Sequence, residues 1–334
     1  MIIAFLNPQF SIINLVQAPS VIGHQEQLEA LQRDLELGNV THAYLFTGPA
    51  HIGKCTVAKW FALQLFLEGV DDEKDRSRVA LEVDRLIHPD LFVIERLWVE
   101  GICEDFDLLA KSTNISQWHR SRAHAKTDSI SIEDIRVLQE RLFEVGTGRF
   151  RCCLIREVGR MHDEAVNALL KILEEPPEGL TFLLTTETLS TLPATLVSRA
   201  RIVRFSTLSN VQLQPLLEGV DDDDAQFLLR LSQGAPGTLC QLRDNPDRKR
   251  HERLLYQKAV SFWESTSLLD RLQILSPLHA RSDEAHRFLL HLALVLREQG
   301  SPPDATQALS AFASGLKTNA QRQLLAQRFA LAVT

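Results

Sequence analysis

The sequence predicts an α/β domain built on a parallel sheet flanked by helices, followed by a small helical lid and a C-terminal all-α domain. Three observations predict it. Apolar strand-like runs alternate with helical patterns between residues 43 and 205, as parallel strands covered on both faces do. One strand–helix junction carries a glycine loop, Gly48-Pro49-Ala50-His51-Ile52-Gly53-Lys54-Cys55. From Leu208 onward the pattern is helical, broken at Gly234-Ala235-Pro236-Gly237 and again at Pro246 and the charged run ending at Glu252. The expected divisions are an α/β domain over 1–206 with an irregular insertion at about 96–128, a lid over 207–245 and a helical domain over 246–334.

Val21-Ile22-Gly23-His24-Gln25 leads into a helix through Leu28, Leu31, Leu35 and Leu37, stopped by Gly38-Asn39. His42-Ala43-Tyr44 enters a buried strand that ends at Thr47. Val57, Ala58, Phe61, Ala62 and Leu65 then recur at helical spacing. This helix fades near Gly69 into an acidic segment, Asp71 to Asp75, read as a solvated stretch. After His88-Pro89-Asp90, Leu91 to Ile94 forms a short strand. Ser131 and Asp134 resemble a capping box ahead of a helix carrying Ile135, Leu138, Leu142 and Phe143. Cys152 to Ile155 is the next strand. Asp163 starts a helix with Ala165, Ala168, Leu169, Ile172 and Leu173 on its apolar face, ended by Pro176-Pro177. Thr181 to Thr186 is a strand, Leu192-Pro193 begins a short helix ending near Arg199, and Ile202 to Phe205 closes the series. The acidic run Asp221 to Asp224 is a loop or a helix start, and the helical tail continues through Leu268, Leu272, Leu289, Leu292 and Leu296.

Gly48 to Cys55 fits the phosphate-loop pattern G-x-x-x-x-G-K-[ST] except at its last residue. The glycines let backbone N–H groups turn toward phosphate oxygens, and the helix N-terminus adds partial positive charge. Lys54 would reach the β- and γ-phosphates. The departure is Cys55. A Ser or Thr there places a hydroxyl on Mg²⁺, which prefers hard oxygen ligands, and a neutral thiol is a poor substitute.

Net charge is −7 over 334 residues, which argues against unaided non-specific DNA binding as the main activity. The five cysteines, Cys55, Cys103, Cys152, Cys153 and Cys240, form no C-x-x-C pair, so neither a zinc site nor any other metal site is expected. An odd, scattered set fits reduced thiols and a cytoplasmic location. Cys152 and Cys153 read as small buried apolar residues, and His51 and His88 have no partners at ligand spacing. The apolar N-terminus MIIAFLNPQFSIINLV lacks a basic region and a small-residue cleavage site, so it reads as a packing segment. No apolar run is long enough to span a membrane.

Several signatures fall in one order: Ile22-Gly23, His42-Ala43-Tyr44-Leu45-Phe46, the phosphate loop, His88-Pro89-Asp90, Ala168-Leu169-Leu170-Lys171-Ile172-Leu173-Glu174-Glu175-Pro176-Pro177 and Ser198-Arg199-Ala200. From about residue 21 to 245 the chain resembles the clamp-loader subunits of bacterial DNA polymerase III, within the AAA+ superfamily, and the helical tail suits that family's collar domain. The resemblance implies an AAA+ P-loop fold and a nucleotide site made of Ile22, Gly48, Gly53, Lys54 and Cys55.

The family contains active ATPase subunits, gamma or tau, and a delta-prime type with a degenerate ATP site. The departures favour the second. Where the family's acidic motif follows a strand, this chain reads Ile155-Arg156-Glu157. Arg156 stands where the Mg²⁺-associated aspartate belongs, and a guanidinium stays charged and repels the cation. Glu157 remains where the water-polarising glutamate would sit, vestigial without its metal. Thr238 supplies no cation where active relatives often place a nucleotide-sensing arginine on the lid. The four-cysteine zinc module of many relatives is absent. Thr185 and Thr186 match the polar sensor position at a strand tip, a place where threonine is common on propensity alone.

Arg199 is the opposite case. The resemblance implies that it acts in trans, reaching the γ-phosphate bound by a neighbouring subunit, a task suited to its planar fork. The implied function is a delta-prime-like stator without efficient ATP hydrolysis of its own, and whether its degenerate loop holds ATP or ADP, or no nucleotide, stays open at this point. The implied partners are gamma/tau and delta subunits in a hetero-pentamer that loads the sliding clamp on primer–template DNA in replication. Three alternatives stay open here: an active gamma/tau-type ATPase, a P-loop kinase, for which no acceptor site is visible, and a repair- or transformation-specific relative of the clamp loader.

Overall fold

The computed structural model describes residues 21–94, 129–142, 146 and 148–333. The apolar N-terminal segment, the insertion expected at about 96–128, Cys103 and Phe143 lie outside the described residues. The chain divides into two compact units, Met1–Cys240 and Gln241–Thr334.

The first unit runs α1 (Gln25–Glu36), β1 (Ala43–Thr47), α2 (Lys54–Phe66), α3 (Glu73–Asp84), β2 (Leu91–Ile94), α4 (Ile132–Leu142), β3 (Arg151–Ile155), α5 (Asp163–Glu174), β4 (Leu180–Thr186), α6 (Ala194–Val197), β5 (Arg201–Arg204), α7 (Asn210–Leu213) and α8 (Asp222–Ser232). The division falls inside the next helix, α9 (Pro236–Asp244). The sheet order is β2-β3-β4-β1-β5, and every pairing is parallel. β1 to β4 were legible as apolar runs because they are buried on both faces, as parallel strands under two helical layers must be.

Strand pleating sorts the core into two layers. Tyr44, Phe46, Leu154, Leu183 and Val203 face one side, with Leu31 of α1, Phe61 and Leu65 of α2 and Val83 of α3. Ala43, Leu45, Ile155, Phe182 and Leu184 face the other, with Ile135 and Leu138 of α4 and Leu169 and Ile172 of α5. Cys152 and Cys153 alternate between the layers and are fully buried, as the sequence reading expected. Burial pushes both thiols up, so they stay protonated.

The acidic segment is largely exposed, as the sequence reading expected, but it also starts a helix that this reading did not place. Asp72 accepts a hydrogen bond from the Asp75 amide and caps α3, which continues to Asp84. Its first turn is acidic, which suits a helix N-terminus, and Val79, Ala80 and Val83 pack against α2. The other acidic run does start a helix, with Asp221 capping α8. A polar tie joins α1 to the sheet: the Tyr44 hydroxyl donates to Asp34 Oδ2 at 3.0 Å, and Arg201 of β5 pairs with the other carboxylate oxygen. Burial, with the Asp34 charge adding to it, holds the Tyr44 phenol up at about 12, so it remains a donor.

The second unit holds α10 (Pro246–Glu264), α11 (Leu268–Ile274), α12 (Asp283–Glu298), α13 (Pro303–Leu316) and α14 (Arg322–Ala332). Asn245, Ser267 and Ser282 cap α10, α11 and α12. Phe262, Phe288, Leu292, Phe312 and Phe329 fill its core, and the Phe312 and Phe329 rings stack at 4.7 Å. Glu252 is buried here but not alone: Arg287 Nη1 donates to it at 3.1 Å, and His291 Nε2 lies 2.7 Å from its other oxygen.

Candidate functional site

In an open parallel sheet the strands' carboxyl ends gather at one edge, and ligands sit in the crevice there. The register places Thr47 opposite Thr186 and Arg204, and Ile155 opposite Ile94 and Leu184. That edge therefore collects the loop after β1, Arg156-Glu157 after β3, and Thr185-Thr186 at the tip of β4.

Gly48 leaves β1 with φ 153°, and its amide donates to the Thr186 carbonyl at 3.3 Å. A Cβ at Gly48 would stand 2.4 Å from the Phe205 carbonyl oxygen, so no larger residue fits. Gly53, at φ 104°, turns the chain into α2. Lys54 is 4% exposed, and its Nζ donates to the Gly48 and Pro49 carbonyls at 2.7 Å each. Burial lowers its pKa, while the charges of Glu157, Cys55 and Glu187 act in the opposite sense. The loop thus wraps its own cation. The start of α9 also meets the loop, because the Gly237 amide donates to the His51 carbonyl at 2.9 Å. Thr238 follows, half-buried.

Ile22 is half-buried, two residues ahead of a residue that sequence reasoning missed. His24 donates from Nε2 to the Ile52 carbonyl at 2.8 Å and packs edge-on against Phe205 at 4.9 Å between ring centroids. It supports the loop from below, and no periodic pattern marks it. Burial lowers its pKa from 6.5, against a smaller opposing effect of the Ile52 hydrogen bond. Below pH of about 6.5 the unfolded chain therefore takes up a proton that the folded chain refuses, and stability falls as pH drops. His88 is shifted the same way by burial. We expect His24→Asn, which suits the positive φ of 57° at this position, to make the loss of stability between about pH 6.5 and 5 shallower. Denaturant unfolding across that range measures it, and an unchanged slope contradicts it.

Arg156 turns toward the loop. Its Nε–H donates to Cys55 Sγ at 3.2 Å, and its amide donates to the Ile94 carbonyl at 2.9 Å. Two of the residues that depart from the family pattern, Cys55 and Arg156, 101 positions apart, are thus in direct contact. Neither a thiol nor a guanidinium is an oxygen ligand, so this pair does not fit the Mg²⁺ that the family implies. Glu157 adopts a left-handed backbone, φ 55°, and its amide donates to Thr185 Oγ1 at 3.0 Å. Thr186 Oγ1 donates to the Thr188 carbonyl at 3.0 Å. The first threonine hydroxyl thus holds the turn after β3, and the second holds the chain after β4.

Arg199 lies away from these groups in the fold's own bonding. Its Nη1 donates to the Thr195 carbonyl at 3.0 Å, and its Nη2 pairs with Glu174 Oε1 at 2.7 Å. Glu174 belongs to the Leu173-Glu174-Glu175-Pro176-Pro177 stretch, so the two most specific sequence signatures meet in one ion pair. Both side chains are substantially exposed, and such pairs are worth about 0–1 kcal/mol. Among the described residues no three His, Cys, Asp or Glu side chains converge to hold a metal ion. None of the helices there is long and apolar enough to cross a membrane.

Comparison with known proteins places this geometry in a lineage. The family model described as DNA polymerase III, delta subunit, matches residues 23–209, more than half of the chain. The tau subunit of DNA polymerase III from Escherichia coli (strain K12) is 28% identical over 233 residues, covering 67% of this chain and 32% of tau. The gamma subunit from Buchnera aphidicola subsp. Schizaphis graminum is 26% identical over 257 residues, covering 75% of this chain and 62% of gamma. The matched regions thus span less than two thirds of either relative. A crystal structure of a DNA polymerase III gamma subunit-related protein from Thermotoga maritima aligns with TM-score 0.46 and 19% identity, over 92% of this chain and 98% of that one. The family match, with the phosphate loop on a five-stranded parallel sheet, shows that this chain belongs to the DNA polymerase III delta-subunit family, among the clamp-loader AAA+ proteins.

Proposed function

We propose that this chain is a delta-prime-type subunit of the clamp loader, a stator that turns over little or no ATP itself and completes the site of a neighbour. The observation that carries this reading is the Arg156–Cys55 contact at 3.2 Å. Phosphoryl transfer relies on the metal to neutralise charge developing on the phosphates. With a thiol and a guanidinium where its ligands belong, Glu157 has no metal to work with. Arg199 is still present at the end of a short surface helix, in an ion pair weak enough to exchange for a phosphate.

On this reading the nucleotide site comprises Ile22, Gly48, Gly53, Lys54 and Cys55, and Glu157 is a remnant. Residues 207–245 serve as a lid, and 246–334 as the collar that joins the subunits. The partners are gamma/tau and delta subunits in a hetero-pentamer, and through it the sliding clamp and primer–template DNA, in the cytoplasm. The retained Lys54 and Glu157 favour a second reading, an active gamma/tau-type ATPase. The isolated chain separates them. We expect Mg²⁺-ATP hydrolysis at the buffer background, together with co-elution in a complex with gamma/tau-type and delta subunits. Hydrolysis by the isolated chain that is lost in Lys54→Ala overturns the stator reading in favour of the motor.

A further inference from the structure

The second unit is the basic part of an acidic chain. Gln241–Thr334 holds thirteen Lys and Arg against nine Asp and Glu, within a chain of net charge −7. Part of this excess gathers at one groove of about 530 Å³, whose lining includes Arg281, Asp283, His286, Lys317 and Arg322. Two segments wall it. One is the turn that leads into α12, and the other is the loop from Leu316, at the end of α13, to Arg322, at the start of α14.

The hydrogen bonds that tie these segments also bring the cations together. Arg322 Nη1 donates to the Ala280 carbonyl at 2.6 Å, beside Arg281, and its Nη2 donates to the Leu316 carbonyl at 3.4 Å, beside Lys317. Arg281 Nη2 donates to the Thr318 carbonyl at 3.4 Å, on the other side of Lys317, and to Asn319 Oδ1 at 3.3 Å. These partners are neutral oxygens. Among the described residues, Arg281, Lys317 and Arg322 form no ion pair, and the Lys317 side chain makes no hydrogen bond. Arg281 bonds through Nη2 alone, which leaves Nε and Nη1 for a ligand. Arg322 Nε is buried without a hydrogen-bond partner. The groove also sits at the start of α12, where Ser282 is the N-cap, and the first amides of a helix favour an anion. Asp283 lines the same groove and opposes an anion there.

We propose that this groove binds a phosphate group, supplied as free phosphate or by a nucleic-acid strand. Like charges gathered in one groove repel, and a phosphate relieves that repulsion. Guanidinium forks and an ammonium converging from two segments suit its several charged oxygens. Arg281 and Arg322 keep their bonds to the loops, while Lys317, tied to nothing, swings onto the anion.

The test is equilibrium binding of inorganic phosphate to the full chain at constant ionic strength. Lys54→Ala is present throughout, so that the loop at Gly48–Lys54 does not contribute. Lys317→Glu should weaken binding by about tenfold or more, and Arg281→Ala by about three- to tenfold, as the loss of charge-assisted hydrogen bonds predicts. Asp283→Asn should tighten it by about two- to fivefold. Thermal melting of each variant shows that it is folded. Anisotropy of a labelled single-stranded oligonucleotide then distinguishes the sources. An oligonucleotide that binds, and is lost in Lys317→Glu, names a nucleic-acid strand; phosphate binding without oligonucleotide binding names the free ion. Phosphate binding that is absent, that is indifferent to Lys317→Glu and Arg281→Ala, or that is no tighter in Asp283→Asn overturns the inference.

Discussion

If Arg199 completes a neighbour's ATP site, as proposed, replacing it with alanine should lower ATP turnover there by about 10³-fold or more, the magnitude typical of a trans arginine finger. The same substitution should move the melting temperature of the isolated chain by less than about 4 °C, because an exposed ion pair contributes little. The asymmetry follows from where Arg199 sits. In the free chain it spends its fork on Glu174 and the Thr195 carbonyl, both surface partners. A γ-phosphate presented by a neighbour offers two charged oxygens to the same fork, and the bidentate pair is the stronger one. Lysine should not rescue it, since a point charge cannot span two oxygens. Steady-state ATPase of the reconstituted assembly, with melting of the isolated variant, measures both halves. Turnover unaffected by Arg199→Ala contradicts the trans role. A large drop in melting temperature would assign the residue to the fold instead.

Gly48→Ala should destabilise the first unit by about 2–4 kcal/mol, combining left-handed backbone strain with overpacking. In a unit of this size that is a fall in melting temperature of about 5–15 °C. The cause is specific. The Phe205 amide donates to the Thr47 carbonyl at 2.8 Å, which brings the chain leaving β5 over the end of β1. The Phe205 carbonyl oxygen then lies 2.4 Å from where an alanine Cβ would be built, and backbone cannot yield as a flexible side chain can. Gly69→Ala is the control: its φ of 79° is also left-handed, but nothing lies within 4 Å of its Cβ position. It should show the strain alone, at about 1 kcal/mol. Equal losses in the two variants would contradict the close-approach argument. Gly48 is therefore required by the sheet edge whether or not a phosphate ever binds.

That double duty bears on what the sequence could reveal. The parallel sheet was legible because β1 to β4 are buried on both faces and read as unbroken apolar runs bounded by turns. The helix α3 was not. Its first half is charged and its buried residues, Val79, Ala80 and Val83, are too few to set a period, while Leu81 is exposed. Its starting signal was present, though, in Asp72 with Asp75 three residues on. At the candidate site, Lys54, Cys55, Arg156 and Arg199 stood out by motif position alone. The contacts that give them meaning did not, because they join residues far apart in the chain. Arg156 to Cys55 spans 101 positions and Arg199 to Glu174 spans 25. His24 was invisible for the same reason: its partner, Ile52, is 28 residues away, and a single histidine after a glycine forms no pattern.

The central claim is that this chain gives its neighbour a catalytic arginine while its own site stays silent. The most direct measurement sets Arg199→Ala beside Lys54→Ala in one reconstituted assembly and compares Mg²⁺-dependent ATP turnover with the unmodified complex. The prediction is a large loss of turnover with Arg199→Ala and a change of less than about twofold with Lys54→Ala. The reverse pattern, a silent Arg199→Ala and a strong loss with Lys54→Ala, would contradict it and make this chain one of the assembly's motors.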